Sequence, residues 1–440
     1  MLFFVVGVAI FTLGVLVWFF TQTTTSSSGS IINKTNPLSL RDFPKRFQFI
    51  GNPDTEEEQG TSTTEITLAT PQILTKIWDK PSSGQAFVVK EYLREVSSTS
   101  TIIKASTSTK ATTTEQVVVK KTLRATSTIL MFVDRETGHI YGFSFDTNKV
   151  FQISNSTFPG IYDAYIIFDG TTVVMRYEDE EKRAIVGIMA TIPSVAQGQD
   201  PRPLENITYL PSQVISVASS PDKTLLSYVV DSGTDIAVYT MSKTGTQLIT
   251  KTPFKEWSLV YGGNTLHAYT KPSAYVEGYM AKLPTFEMVT PGRTGLISLP
   301  SNSSSMITSM WSNKGLLTYI TSLGKDTVLP IKTLASKCAW GTQQFILCAV
   351  PRSLPRGSEG LPDDWYQGRV SFDDTFILVD SNTGETSPLF SFDGMNGLPF
   401  DVTNIILSED SSLVSFIRKQ DGSLWLLNTN LLSGAGEANL

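Results

Sequence analysis

Val214-Ile-Ser-Val-Ala-Ser-Ser-Pro-Asp-Lys-Thr-Leu-Leu-Ser-Tyr-Val-Val230 is the stretch on which the fold turns. It reads as an apolar strand, a tight polar turn at Ser220-Pro221-Asp222-Lys223, and a second strand that carries an aromatic residue. Related units surround Phe168-Asp-Gly-Thr, Tyr261-Gly-Gly-Asn, Ser312-Asn-Lys-Gly, Gly341-Thr-Gln-Gln and Ser408-Glu-Asp-Ser. A second marker, the hairpin turn Asp-x-x-Thr-Gly, begins at Asp134 and again at Asp380, with Ser-Lys-Thr-Gly beginning at Ser242. From about residue 67 onward, short apolar runs alternate with period two between Gly, Asn, Asp and Ser turns, and few stretches have helical periodicity. This is the signature of an all-β domain.

Most of the turns recur about 40–65 residues apart, with some four strands per unit, and that period belongs to propeller blades. A single blade leaves apolar sheet faces wet, so it needs neighbours. Six turn markers give six blades. A further blade assembles from Gln85 to Val89, Thr128 to Asp134, His139 to Phe145 and Lys149 to Ile153. The C-terminal run Gly422-Ser-Leu-Trp-Leu-Leu lacks a fourth strand, which the run from Ile66 to Trp78 can supply, removing a free edge. The expectation is a seven-bladed β-propeller over residues 66–430, with six or eight blades the alternatives.

Composition bounds the rest. The 440 residues carry 41 acidic and 35 basic side chains, a net charge of -6, which argues against nucleic-acid binding. Two Cys and two His exclude Cys-rich zinc sites and iron–sulfur clusters. No cofactor or metal is expected.

Leu2 to Phe20 is an unbroken apolar run. At 1.5 Å per residue it spans about 28 Å, enough for the hydrocarbon core of a bilayer. No basic residue precedes it and no small-residue cleavage site follows it, so residues 1–20 read as an uncleaved transmembrane anchor. Residues 21–65 read as a Ser/Thr-rich flexible linker, and 431–440 as a disordered tail. Ser97 to Thr114 holds twelve Ser or Thr in eighteen residues and reads as a low-complexity loop inserted into the domain. The basic residues Lys34, Arg41, Lys45 and Arg46 follow the anchor, and taken alone they place the bulk of the chain inside.

Ser220-Pro-Asp-Lys and the following Leu225-Leu-Ser-Tyr resemble the WD40-like repeats of TolB-type periplasmic propellers. A resemblance over most of residues 74–428 rests on Thr137-Gly-His-Ile-Tyr, Gln152-Ile-Ser-Asn, Lys337-Cys-Ala-Trp, Cys348-Ala-Val-Pro and Pro362-Asp-Asp-Trp-Tyr-Gln-Gly. These look like segments of single-pass, membrane-anchored propellers of ultra-small candidate-phyla bacteria. The resemblance implies the propeller fold and an extracytoplasmic setting for the bulk of the chain. It brings no catalytic residues.

Cys338 and Cys348 flank a hairpin centred on Gln343, and counting outward sets them opposite each other. Directly opposed positions lie about 4.5–5.5 Å apart, within disulfide range. The alternative is two buried thiols acting as small hydrophobes. The longest irregular segment of the second half runs from Pro351 to Arg369 and carries Asp363, Asp364, Trp365 and Tyr366. Blade phasing makes it the connection between the second and third strands of blade six, on a face used for binding. Trp and Tyr beside carboxylates suit sugar stacking or a protein anchor; the alternative is that the rings plug the loop onto the blade. Tyr275, Glu277 and Tyr279 take the corresponding place in blade four. Asp373 and Asp374 follow the loop, but no Asp-x-Asp-x-Asp-Gly calcium loop exists. His139 and His267 read as structural, and no nucleophile or phosphate-loop motif is present.

The function expected is therefore a membrane-tethered, extracytoplasmic module that binds an envelope protein or surface glycan. Two other readings stand beside it: a structural component of an envelope-spanning secretion or pilus assembly, and a propeller hydrolase using Asp363, Asp364, Asp373 and Asp374.

Overall fold

The computed structural model describes residues 72–432 apart from 106–111, 180–183, 313, 323, 343 and 394–397, and only the backbone of Ala184 and of 91–125. The anchor expected at Leu2 to Phe20, the linker to residue 65 and the tail beyond Leu432 lie outside the described residues. Among the described residues no helix is long and apolar enough to cross a membrane.

The described strands form seven four-stranded antiparallel sheets. Blade one comprises Ser82–Ala105, Thr112–Asp134, Ile140–Ser144 and Lys149–Ser154. Blades two to six follow in chain order over residues 161–209, 214–252, 257–294, 297–328 and 338–391. Blade seven takes Val402–Leu407, Leu413–Arg418 and Leu424–Asn428 from the C-terminal end, and its outermost strand, Leu74–Trp78, from the other end of the domain. That strand pairs antiparallel with Leu424–Asn428, Leu74 opposite Leu427 and Lys76 opposite Trp425.

Sheet-on-sheet packing supplies the core. Ala86, Val88, Met131 and Val133 of blade one meet Ile161, Ile166, Val173 and Met175 of blade two. The ring-closing seam joins Ile417, Leu424 and Leu426 of blade seven to Phe87, Leu130, Phe132 and Phe143 of blade one, with Ile77 among them. Burial decreases outward: the second strand of blade three, Leu226–Asp231, is buried over its first four residues, while the outermost strands Glu205–Tyr209 and Lys325–Val328 are exposed throughout.

The quoted turn is a defined object and it repeats. Ser220 Oγ bonds Asp222 Oδ1 at 2.5 Å and accepts the Leu225 N–H at 2.9 Å, while Thr224 N–H reaches Asp222 Oδ1 at 3.1 Å. Blade seven reproduces it residue for residue: Ser408 Oγ to Asp410 Oδ1 at 2.6 Å, Leu413 N–H to Ser408 Oγ at 2.9 Å, Ser412 N–H to Asp410 Oδ1 at 3.1 Å. Lys223 and Ser411, at the same step of the two turns, both adopt φ of 58°.

Two expectations need correction. Ser312-Asn-Lys-Gly joins the second and third strands of blade five, not the first and second. Gly315, at φ 90°, suits any tight hairpin, so the marker does not report strand position. The segment 97–114 is also not a loop for most of its length. Residues 97–105 and 112–114 are paired strand, Ser97 opposite Lys120 and Ala105 opposite Thr112. Low complexity here is rich in Thr, a β-branched residue that suits extended pairing.

Closure brings two chain regions into tight contact at Gly422. Its φ is 70°, and a Cβ there would lie 2.8 Å from Pro81 Cα, while Ser82 N–H donates to the Gly422 carbonyl at 2.9 Å. Gly422→Ala is expected to destabilise the domain by more than the roughly 1–2 kcal/mol of a left-handed alanine. Gly198→Ala, at φ 85° with open space around it, carries the backbone cost alone. Chemical denaturation of both variants checks this, and equal losses would mean that the Pro81 contact contributes nothing.

Candidate binding face

The connection between the second and third strands of blade six runs from Arg352 to Asp373, as its phasing implied. It holds a 3-10 turn at Ser358–Gly360 and a one-turn helix at Asp363–Tyr366. Connections of this kind share one end of the ring with the links between blades, because alternate strands of an antiparallel sheet end at opposite edges.

Trp365 anchors the segment. It is 5% exposed, and its Nε1–H lies 3.0 and 2.9 Å from the two oxygens of Asp401, a residue of the link leading into blade seven. Asp401 also accepts from Phe372 N–H at 3.1 Å and Ser371 Oγ–H at 3.2 Å. Its charge is met by Lys337, whose Nζ sits 2.6 Å from Asp401 Oδ1, 2.8 Å from Asp374 Oδ2 and 2.7 Å from the Val402 carbonyl. All three side chains are fully buried. The same ammonium lies 5.0 Å from the Trp365 ring centroid and 5.2 Å from that of Phe372, and Lys419 lies 4.1 Å from Trp365 while donating to its carbonyl.

One ammonium thus serves two buried carboxylates. Burial pushes Asp374 up to about 6, against the pull of Lys337, and its Oδ1 is buried with no hydrogen-bond partner. Burial likewise lowers Lys419 to about 8, with Asp401 opposing the shift. Cys338 follows Lys337 directly, and its sulfur is bonded to that of Cys348 across the hairpin, with the Cα atoms 4.1 Å apart. The register sets Cys338 opposite Cys348 and Trp340 opposite Ile346. The bond fixes the strand that begins where Lys337 is presented.

The remaining aromatic residues stand outside this lock. Tyr366 keeps 41% of its surface exposed, while its hydroxyl is turned inward onto Ser336 and burial raises its pKa. Tyr275 is 77% exposed and Val276 66%; Tyr279, partly exposed, donates its hydroxyl to Glu277 Oε2 at 3.1 Å. The two loops meet. Asp363 Oδ2 accepts the Ala274 N–H at 2.6 Å, so the blade-six helix reaches across blade five to the blade-four connection beside Tyr275. Gly295, in the link between blades four and five, lies beneath the same bridge: a Cβ there would lie 3.3 Å from the Leu361 carbonyl.

The residues singled out from sequence therefore divide. Tyr275, in the blade-four connection, and Tyr366, in the blade-six connection, keep exposed surface; Glu277 and Tyr279 lie in the third strand of blade four and not in its connection, because the strand resumes at Glu277; and Trp365 belongs to the interior. Asp363 holds the neighbouring loop, Asp364 pairs with Arg369 at 2.9 Å, and Asp373 lies 3.6 Å from Arg352. His139 sits between Thr157 and Gln152, each at 3.1 Å, and His267 is buried, which lowers its pKa. Sequence reasoning missed Lys337 and Asp401. Lys337 stood inside a motif, but its partner is 64 residues away and carries no local signal.

No protein-family model and no curated protein matches the chain. Among solved structures it is similar to the β-propeller domain of the trilobed protease from Pyrococcus furiosus, at 10% identity and a TM-score of 0.45, over 69% of this chain and 91% of that one. It is also similar to a functionally unknown protein from Desulfotomaculum acetoxidans, at 13% identity and a TM-score of 0.44, over 68% and 91% of the two chains. Hydrazine synthase of Kuenenia stuttgartiensis matches at 12% identity and a TM-score of 0.40, over 62% and 77%. These likenesses carry no argument about activity.

Two outcomes test the lock. Asp401→Ala leaves Trp365 Nε1–H and Phe372 N–H without an acceptor and is expected to cost about 3–5 kcal/mol, with new protease cleavage between residues 352 and 373. The second outcome concerns Asp374. The folded state retains a proton on Asp374 up to about pH 6 that the unfolded chain releases near 3.8, so this group's stabilising contribution is complete below 3.8 and is lost as pH rises to about 6. The Tm of Asp374→Asn relative to the parent is therefore expected to improve between about pH 4 and 7; a difference that does not change with pH would contradict the assignment.

Proposed function

We propose that the chain is a tethered, extracytoplasmic propeller that binds a surface glycan or an envelope protein through the face bearing Tyr275, Val276, Tyr279 and Tyr366. One observation carries this reading: the Ala274–Asp363 bond ties the connection that bears exposed Tyr275 to the helix that bears half-exposed Tyr366. Rings held on a rigid scaffold suit binding because little ordering entropy remains to be lost. Glu277, exposed at the start of the third strand of blade four, stands beside Tyr275 as an acceptor for sugar hydroxyls or for the N–H groups of a protein partner. The Cys338–Cys348 bond supports an oxidising compartment. The apolar run at Leu2 to Phe20 supports the tether.

Hydrolysis has less support. Asp363, Asp364 and Asp373 each engage a neighbouring backbone N–H or arginine, and Asp374 is buried against Lys337. A role as a structural part of an envelope-spanning assembly would use the same face with a permanent partner, and co-purification in fixed stoichiometry separates it from reversible binding.

A photo-crosslinking residue placed at position 275 of the full chain in cells is expected to capture glycan or protein, whereas one at Phe345, on the opposite end of the ring, captures little. Tyr275→Ala is expected to weaken binding of the captured species at least tenfold, roughly the effect of removing an interface anchor. Abundant capture from Phe345 and none from position 275 would overturn the assignment.

A further inference from the structure

The first two strands of blade one outrun the blade. Ser82–Ala105 and Thr112–Asp134 stay paired from Ser82 opposite Asp134 to Ala105 opposite Thr112. The third strand, Ile140–Ser144, pairs only with Ile129 to Val133. Residues 91–105 and 112–126 therefore form a two-stranded ribbon about 50 Å long at 3.3 Å per residue. Among the described residues it has no third strand on either edge. An isolated two-stranded ribbon is marginal in water, and a long bare edge is a template for another strand.

The sequence along one edge says which strand fits. The outer edge of the second strand reads Thr112-Thr-Thr-Glu-Gln-Val-Val-Val-Lys-Lys-Thr-Leu-Arg-Ala125. Two identical edges can pair antiparallel about a two-fold axis normal to the sheet. That axis keeps each residue on its own face, so only residues of the same parity can stand opposite one another. Under that rule Glu115 can oppose Lys121 but not Lys120 or Arg124. The register that achieves this has its centre on Val118. It sets Val118 opposite Val118 and Val117 opposite Val119, with a Glu115–Lys121 pair at each end. Sliding by two residues either way sets Glu115 against Val119 or Leu123 and loses both charge pairs. Opposite-charge and β-branched pairs are the cross-strand combinations that stabilise a sheet.

We propose that this edge is a self-association surface: two copies of the chain pair through residues 112–124 in the register centred on Val118, making a four-stranded sheet between two propellers. The binding face of blades four and six takes no part, so the two assignments stand or fall separately.

Sedimentation of the full chain in mild detergent tests the proposal. The parent is expected to be a dimer. Glu115→Lys and Lys121→Glu are each expected to raise the dimer dissociation constant roughly tenfold or more, and the double exchange to restore it. Restoration by the double exchange rules out misfolding as the cause. Val118→Cys, which faces itself across the axis, is expected to form a covalent dimer on oxidation, whereas Val117→Cys, which faces Val119, does not. A parent monomeric at every concentration, a dimer indifferent to both charge reversals, or equal crosslinking from 117 and 118 would each overturn the proposal.

Discussion

The pairing of Leu74–Trp78 with Leu424–Asn428 is the constraint on which the ring depends. Every blade is a sheet with two apolar faces, so each needs a neighbour on both sides, and a row of blades satisfies that condition only when it closes. Making the last blade from both ends of the domain turns closure into a matter of backbone hydrogen bonds as well as packing. The seam is largely apolar, with Ile77 and Leu424 packed against Phe87 and Phe132, while the Gln85 side chain crosses it to Ser415 Oγ and the Asn404 carbonyl, and Gly422 admits Pro81 where no side chain fits. Opening it would expose a sheet edge and two sheet faces together.

With the ring closed, the link between blades six and seven is held in place, and that link carries Asp401. The buried Lys337–Asp374–Asp401 group is costly to assemble, since ions leave water on burial and recover the loss only through good geometry. Here the geometry serves a mechanical end. A twenty-two-residue connection from Arg352 to Asp373 would otherwise have little to order it. Trp365, fixed by Asp401 and flanked by two ammonium groups, makes it a rigid element. Asp363 then extends that rigidity to blade four. The connections that bear the exposed tyrosines thus rest on charges that are fully buried.

The repeat was legible because turn chemistry is local. Ser220 and Asp222 satisfy backbone groups within five residues, so the same letters at Ser408 and Asp410 produce the same turn. The Cys338–Cys348 opposition was legible for the same reason, as an antiparallel hairpin converts counting into register. The phase of blade five was not, because Ser312-Asn-Lys-Gly describes a tight hairpin and any strand pair can use one. The run 97–114 misled in the other direction: its composition suggests a loop, but threonine's branched side chain favours extended pairing once two such segments align.

The sequence by itself determined the strand-and-turn grammar and the loop to watch, since each rests on contacts between residues close in the chain or on a repeated pattern, and it favoured seven blades, with six or eight open, closed by a strand that the last blade lacked. Only the tertiary structure decided that Trp365 faces inward while Tyr275 and Tyr366 keep exposed surface, and that Lys337 lies between two carboxylates. Those facts depend on which distant segments the ring brings within 3 Å of each other, Lys337 and Asp401 being 64 positions apart and Ala274 and Asp363 being 89 apart. No local pattern of residues encodes such a meeting; it follows from closing the circle.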